Sequence, residues 1–245
     1  MIYPLIQTTL RINTFKGTLG LTTASGFFFE REGRLYLITS RHVFEDAETN
    51  HHPDRIEIEI HIDASDLGRS TGFSIPLFTR GKQGWRDTHD ADGSIDVAAI
   101  EVNQWALPSP TLYRAFTPDH LQKPSDPVAI GSTLLAVGYP LGFEDTLHHL
   151  PVARQASLAS SFGLRFKGKG YFLIDARTHR GLSGAPVVQR QPDGPGPDDL
   201  PWRLLGVHSA RLESSTRDPE LDEALGLNAI WYSDVITALT EGPSA

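Results

Sequence analysis

The sequence predicts an all-β protein built as two barrels packed side by side. Three observations carry that prediction. Short apolar or alternating runs, each broken by Gly, Pro, Asp or Asn, recur along the 245 residues, which is the pattern of a barrel or sandwich. A passage containing Pro108, Pro110, Pro118, Pro124 and Pro127 cannot extend a central strand and reads as a linker. Strand-like runs then restart and end in a helical segment. The organisation expected is an N-terminal barrel over 1–115, a linker over 116–130 and a C-terminal barrel over 131–245.

Gly26-Phe27-Phe28-Phe29-Glu30 and Leu35-Tyr36-Leu37-Ile38 flank Arg31-Glu32-Gly33-Arg34, a hairpin with its turn glycine. Ile56, Ile58, Ile60 and Ile62 alternate with Glu57, Glu59 and His61, so one face is buried and one is wet. A third run covers Val97 to Val102. After the prolines, strands are expected over 133–138, 171–175, 185–190, 203–207 and 227–231, with a long hairpin tip over 191–201. The stretch 233–240 suits a short helix: Ser233 can cap it, Asp234 complements its positive end, and Val235, Ile236 and Leu239 form an apolar face.

Composition narrows the functional classes. Apolar residues make up 39% and charged residues 21%, ordinary values for a soluble domain. There is no run of about 18 apolar residues, so a membrane span is not expected. Cysteine is absent, which removes disulfides and thiol metal sites. The start, Met1-Ile2-Tyr3-Pro4, lacks a basic n-region and apolar stretch, so a cytoplasmic location is expected. A net charge of −8, with Lys and Arg scattered, disfavours nucleic-acid binding. Much of the acid falls in 193–199 and 213–223, both read as solvated surface.

The most informative stretch is Arg180-Gly181-Leu182-Ser183-Gly184-Ala185-Pro186-Val187-Val188. A serine between glycines, followed by a proline and an apolar strand, is how a nucleophile is held in a tight turn. A base and an orienting group stand upstream. Leu37-Ile38-Thr39-Ser40-Arg41-His42-Val43 ends an apolar strand on a histidine, and Ser94-Ile95-Asp96-Val97-Ala98 starts another on an aspartate. Attack on an amide carbonyl needs an activated hydroxyl, a base titrating near about 6.5 and donors for the oxyanion. Ser183, His42 and Asp96 fill the first roles, and the N–H groups of Gly181 and Ser183 the last. Each motif alone is weak; the joint pattern, in the order His, Asp, Ser, carries the reading.

In these residues the chain resembles the trypsin-like serine peptidases of the chymotrypsin fold, in their bacterial, cysteine-free branch. Ser25-Gly26-Phe27 is similar to that family's Gly-Ser-Gly-Phe strand opening, with Ala24 at the first glycine. Thr39-Ser40-Arg41-His42-Val43 resembles Thr-Ala-x-His-Val, and Asp96-Val97-Ala98-Ala99-Ile100 resembles Asp-x-Ala-Leu-Leu. Val137-Gly138-Tyr139-Pro140-Leu141-Gly142 is similar to Gly-Tyr-Pro-x-Gly, and Gly181-Leu182-Ser183-Gly184-Ala185-Pro186 to Gly-x-Ser-Gly-x-Pro. Leu182 replaces the usual Asn or Asp and Ala185 the usual Gly; Leu182 is expected to loosen or reshape the oxyanion loop. The resemblance implies two six-stranded antiparallel barrels with His42, Asp96 and Ser183 in the cleft between them. It implies a protein or peptide substrate and no cofactor.

The resemblance also places the pocket for the residue before the scissile bond between 177–180 and 205–210. Thr178 and His208 resemble the pair with which glutamyl endopeptidases and picornavirus-type processing proteases bond the side-chain oxygen of Glu or Gln. A hydrogen bond to a charged group is worth about 1.5–3 kcal/mol. Arg177 or Arg180 would add positive potential, and Ser209 is better placed to support Asp96 than to touch substrate. The plain alternative makes His208 a satisfied strand histidine and pairs Arg177 with a surface acid. Among other candidates, His51-His52 with Asp54 and His148-His149 read as structural or solvated, so no metal site is expected. Two rivals to an active peptidase stand: a catalytically silent binding module on the same fold, and an effector activated by a protein partner.

Overall fold

The computed structural model describes residues 4–123, 125–191, 200–212 and 226–242. Its strands are β1 (Thr9–Lys16), β2 (Leu19–Arg31), β3 (Arg34–Thr39), β4 (Arg55–His61), β5 (Ser70–Pro76), β6 (Phe78–Thr79), β7 (Lys82–Gln83), β8 (Trp85–Arg86), β9 (His89–Asp90), β10 (Gly93–Ser94) and β11 (Ala98–Val102). After an irregular passage come β12 (Thr133–Gly138), β13 (Val152–Leu158), β14 (Tyr171–Asp175), β15 (Pro186–Arg190), β16 (Trp202–Arg211) and β17 (Leu227–Tyr232). Two helices, α1 (Arg41–Phe44) and α2 (Val235–Thr240), are each under two turns long. Among the described residues no helix is long and apolar enough to cross a membrane.

The second half closes as expected, in the order β12-β13-β14-β17-β16-β15. The first half does not form a closed six-stranded barrel. It is an open seven-stranded sheet, β5-β4-β1-β2-β3-β11-β8, with two-residue hairpins beside it. The reason lies between Pro76 and Ile95, where β6 to β10 are only two residues each. Strands that short cannot span a barrel wall, so the sheet keeps edges at β5 and β8. The isoleucine ladder holds for Ile56, Ile58 and Ile60, which are buried and pair across to Ile75, Phe73 and Thr71 of β5, whereas Ile62 lies beyond the end of β4 and is half-buried. The hairpin turn of β2–β3 puts Glu32 and Gly33 at φ +54° and +72°, the left-handed pair of a tight two-residue loop.

Three apolar clusters explain the sequence pattern. One lies within the first half, with Ile12, Phe28, Leu37, Ile56 and Ile100. Another fills the second barrel, with Ala136, Phe172, Ile174, Val187, Leu205 and Ile230. The largest joins the two halves, drawing Phe27, Phe29, Ile38 and Val97 from one and Val137, Leu173, Val207 and Trp231 from the other. In the buried stretch of β2 alternation is therefore retained, but both faces are dry. Phe27 and Phe29 face the interface, Phe28 faces the sheet interior, and all three are fully buried.

The proline-rich passage is stitched down at several points, among them Leu112 N–H to the His61 carbonyl at 2.8 Å and Arg114 N–H to the Gln7 carbonyl at 3.1 Å. Phe116 is fully buried; its N–H donates to the Phe28 carbonyl at 2.9 Å and its carbonyl accepts from Glu30 at 2.7 Å. Further on, Gln122 N–H donates to the Leu204 carbonyl at 2.9 Å. Helix α2 differs from expectation at its start. Asp234 holds the N-cap position without a side-chain cap bond, and the Ser233 hydroxyl donates instead to the Gln122 carbonyl at 3.3 Å. Arg31 and Arg86 cap the other end, donating to the carbonyls of Thr237 and Leu239, which favours the helix C-terminus electrostatically. The acid-rich stretches 193–199 and 213–223, and the hairpin tip expected over 191–201 except its ends, lie outside the described residues.

Candidate active site

His42 sits in the first turn of α1, immediately after β3 delivers the chain to the interface between the halves. Its backbone N–H donates to Asp96 Oδ1 at 2.9 Å, and its ring Nδ1 lies 2.8 Å from Asp96 Oδ2. Asp96 stands in the short connection from β10 to β11. From the second half, Ser209 of β16 donates its hydroxyl to the same Oδ2 at 2.5 Å. Three donors thus hold the carboxylate, which fixes the imidazole with its proton on Nδ1 and a lone pair on Nε2. Burial by itself would lower the His42 pKa, but the bond and charge of Asp96 outweigh it and hold it above 6.5. Burial would likewise raise Asp96, yet the His42 and Ser209 bonds pull it below the usual carboxylate range.

Ser183 lies in the turn between Gly181 and β15. Its hydroxyl donates to the Ser209 carbonyl at 3.2 Å and makes no hydrogen bond to His42. Ser209 therefore contacts both the Asp96 carboxylate and the Ser183 hydroxyl. Around the serine, Gly181 and Gly184 take φ values of +93° and +83°. A Cβ at either would also overlap main-chain atoms: the Tyr139 carbonyl for Gly181, the Ser25 carbonyl for Gly184. Only glycine serves at both. The carbonyl of Arg180 accepts from Leu141 N–H at 2.5 Å, which turns the Gly181 N–H the opposite way. Neither that N–H nor that of Ser183 donates to any described residue. Two unpaired N–H groups flanking a hydroxyl are what a developing oxyanion requires.

Leu182 does not loosen this loop. It is fully buried, with its side chain against Gly138, and Gly184 and Ala185 N–H groups donate to His208 and Leu182 carbonyls at 2.7 and 2.9 Å. An apolar side chain here locks the turn by packing where an acid would lock it by charge.

Thr178 and His208 are brought together, but around a third residue that the sequence reading did not single out. Asn228 of β17 is fully buried. Its amide nitrogen donates to the Ala176 and Gly226 carbonyls at 2.9 and 2.8 Å, which leaves its oxygen as an acceptor. The Thr178 hydroxyl donates to that oxygen, and His208 Nε2 lies 3.3 Å from it. His208 is 3% exposed, and burial lowers its pKa to about 4, so the ring is neutral at pH 7. Among the described residues its Nδ1 has no hydrogen-bond partner. Arg177 and Arg180 are exposed, and the Arg177 carbonyl accepts from Arg154 at 2.7 Å. No pattern around Leu227-Asn228-Ala229 marks Asn228 in the sequence; only the pairing of β16 with β17 puts it beside His208.

Two of the histidines considered as metal ligands have other partners. His51 Nε2 lies 3.1 Å from the Val43 carbonyl, and His148 Nδ1 lies 2.6 Å from Asp145. Among the described residues no three His, Asp or Glu side chains gather as a metal site would need.

Solved structures similar to this chain include two bacterial proteases. The protease Rv3671c of M. tuberculosis, solved in an inactive form, is 14% identical over 97% of this chain and 91% of its own, with a TM-score of 0.49. A serine endoprotease from Yersinia pestis is 15% identical over 97% of this chain and 65% of its own, with a TM-score of 0.53. At such identities the likeness is one of fold. No curated protein matches. The sequence family described as the trypsin-like peptidase domain matches residues 24–193, and the chain belongs to that family.

Proposed function

We propose that the chain is a serine endopeptidase that works through an acyl-enzyme on Ser183. His42 Nε2 takes the hydroxyl proton as Ser183 attacks the carbonyl and returns it to the leaving amine. Asp96 holds the ring and stabilises the imidazolium, and the Gly181 and Ser183 N–H groups receive the oxyanion. The observation that carries this reading is the hydrogen-bonded His42–Asp96–Ser209 chain in the same site as a serine flanked by two N–H groups that donate to no described residue. The Ser183 hydroxyl rests on the Ser209 carbonyl, and one rotation about its Cα–Cβ bond redirects it. Catalytic hydrogen bonds are often unformed without substrate. Labelling by a fluorophosphonate probe tests the assignment: the natural chain reacts and Ser183→Ala does not.

That resting bond also favours a second reading, a peptidase silent until a protein partner reorients the serine. Labelling that appears only on adding cell extract would establish it.

For the residue before the scissile bond, the proposal is Glu or Gln. What supports it is the resemblance of the Thr178–His208 pair to that of the glutamyl endopeptidases; both residues are buried with their donors on the Asn228 carboxamide oxygen, which a substrate oxygen would have to displace. A substrate oxygen would compete for the same donors, with Arg177 and Arg180 supplying positive potential. Cleavage profiling of a peptide library tests this. His208→Ala is expected to lose Glu and Gln cleavage selectively, and undiminished cleavage after them rejects the preference.

A further inference from the structure

The geometry points to Ser25 as the positioning residue of the oxyanion site, reaching across from the other half of the molecule. This inference rests on the assignment of Gly181 and Ser183 as oxyanion donors. Ser25 belongs to β2 of the first sheet and is fully buried. Its hydroxyl donates to the Gly181 carbonyl at 2.7 Å and accepts the Tyr139 N–H at 3.0 Å. Its own N–H donates to the Ser183 carbonyl at 2.9 Å, while its carbonyl accepts from the Thr39 hydroxyl at 2.7 Å.

Three of those four bonds cross between the halves: two end on the main chain that carries the two donors and the third on Tyr139, two residues before Leu141. The N–H of Gly181 belongs to the peptide from residue 180, whose carbonyl is tied to Leu141. The next peptide, from Gly181 to Leu182, is tied by its carbonyl to the Ser25 hydroxyl. With both planes held, the left-handed conformation of Gly181 and the aim of its N–H have no remaining freedom. The Ser25 N–H bond holds the peptide after Ser183 in the same way. Because the hydroxyl accepts from Tyr139 while donating to Gly181, the segment bearing Leu141 and the nucleophile turn are referenced to one oxygen. The space is tailored to it: a Cβ at Gly138 would overlap the Ser25 hydroxyl. Ser25 touches neither Ser183 Oγ nor His42, so its effect on the reaction runs through the loop alone.

The experiment measures acylation of Ser183 by p-nitrophenyl acetate and affinity for an alkyl trifluoromethyl ketone, whose adduct carries the oxyanion. Removing an oxyanion donor outright costs about 10²–10³ in rate, and loosening one should cost about tenfold. Ser25→Ala is expected to lose about tenfold in acylation with KM unchanged, and to lose ketone affinity by a similar factor. The pH midpoint of acylation should stay in place, because His42 and Asp96 are untouched. A rate and ketone affinity within about twofold of the natural chain would overturn the inference, as would a loss accompanied by a moved pH midpoint. Where Ser25→Ala does not fold, Ser25→Cys, a poorer donor in the same place, is expected to show a smaller loss in both readouts; none in either overturns it. Ser183→Ala hydrolysing the ester as fast as the natural chain would instead overturn the proposed function itself.

Discussion

His208 sets a pH limit on the fold. The ring is 3% exposed and its pKa falls from 6.5 to about 4, so the folded state refuses a proton that the unfolded chain accepts. Lowering the pH therefore favours unfolding. The contribution is negligible at pH 7, grows once pH drops below 6.5 and saturates below about 4. At about 1.4 kcal/mol per tenfold change in proton affinity, the loss between pH 7 and pH 4 is about 3 kcal/mol. That is a large part of the stability of a typical domain. Urea unfolding at pH 7, 5.5 and 4 measures it, with His208→Gln as the comparison, since glutamine keeps a donor for Asn228 without a titrating ring. The variant should be less stable at pH 7 yet lose about 3 kcal/mol less on acidification. Parallel losses in both proteins would refute the reasoning and mean that the buried ring is hydrated or already charged.

Two further outcomes follow from the site. Acylation needs the neutral His42 ring, and the Asp96 bond raises its pKa, so rates should climb with pH through a midpoint above 6.5. Asp96→Asn should lower that midpoint and cost about three to four orders of magnitude in rate, read from the ester burst across pH. Gly184→Ala sets a Cβ against the Thr39 hydroxyl and the Ser25 carbonyl at φ +83°. It should destabilise the chain by about 3 kcal/mol or more in thermal unfolding.

Most of the longer strands were legible in the sequence as runs rich in β-branched and aromatic residues closed by a turn former; β1, β5 and β13 were not, and β13, Val152-Ala153-Arg154-Gln155-Ala156-Ser157-Leu158, has no such run. Thr133–Gly138 and Tyr171–Asp175 coincide with the runs read. Closure was not legible either. A barrel closes only if its last strands are long enough to pair around the ring, and the two-residue strands between Pro76 and Ile95 depend on how the sheet edges meet in space. The helix cap failed for a similar reason: Ser233 is a good cap by type, but the distant Gln122 carbonyl claims its hydroxyl.

By itself the sequence determined which atoms are available for chemistry: one hydroxyl in a glycine turn, one imidazole after an apolar strand, one carboxylate before another. Such turns are local, and local φ/ψ demands are written in residue type. Only the tertiary structure decided which groups those atoms meet. Ser209 bridges Asp96 and Ser183, Ser25 reaches Gly181 over 156 residues of chain, and Asn228 takes up the donors of Thr178 and His208. A hydrogen bond between residues so far apart leaves no periodicity behind. It exists because two sheets bury their outer faces against each other, and that packing sets the distances.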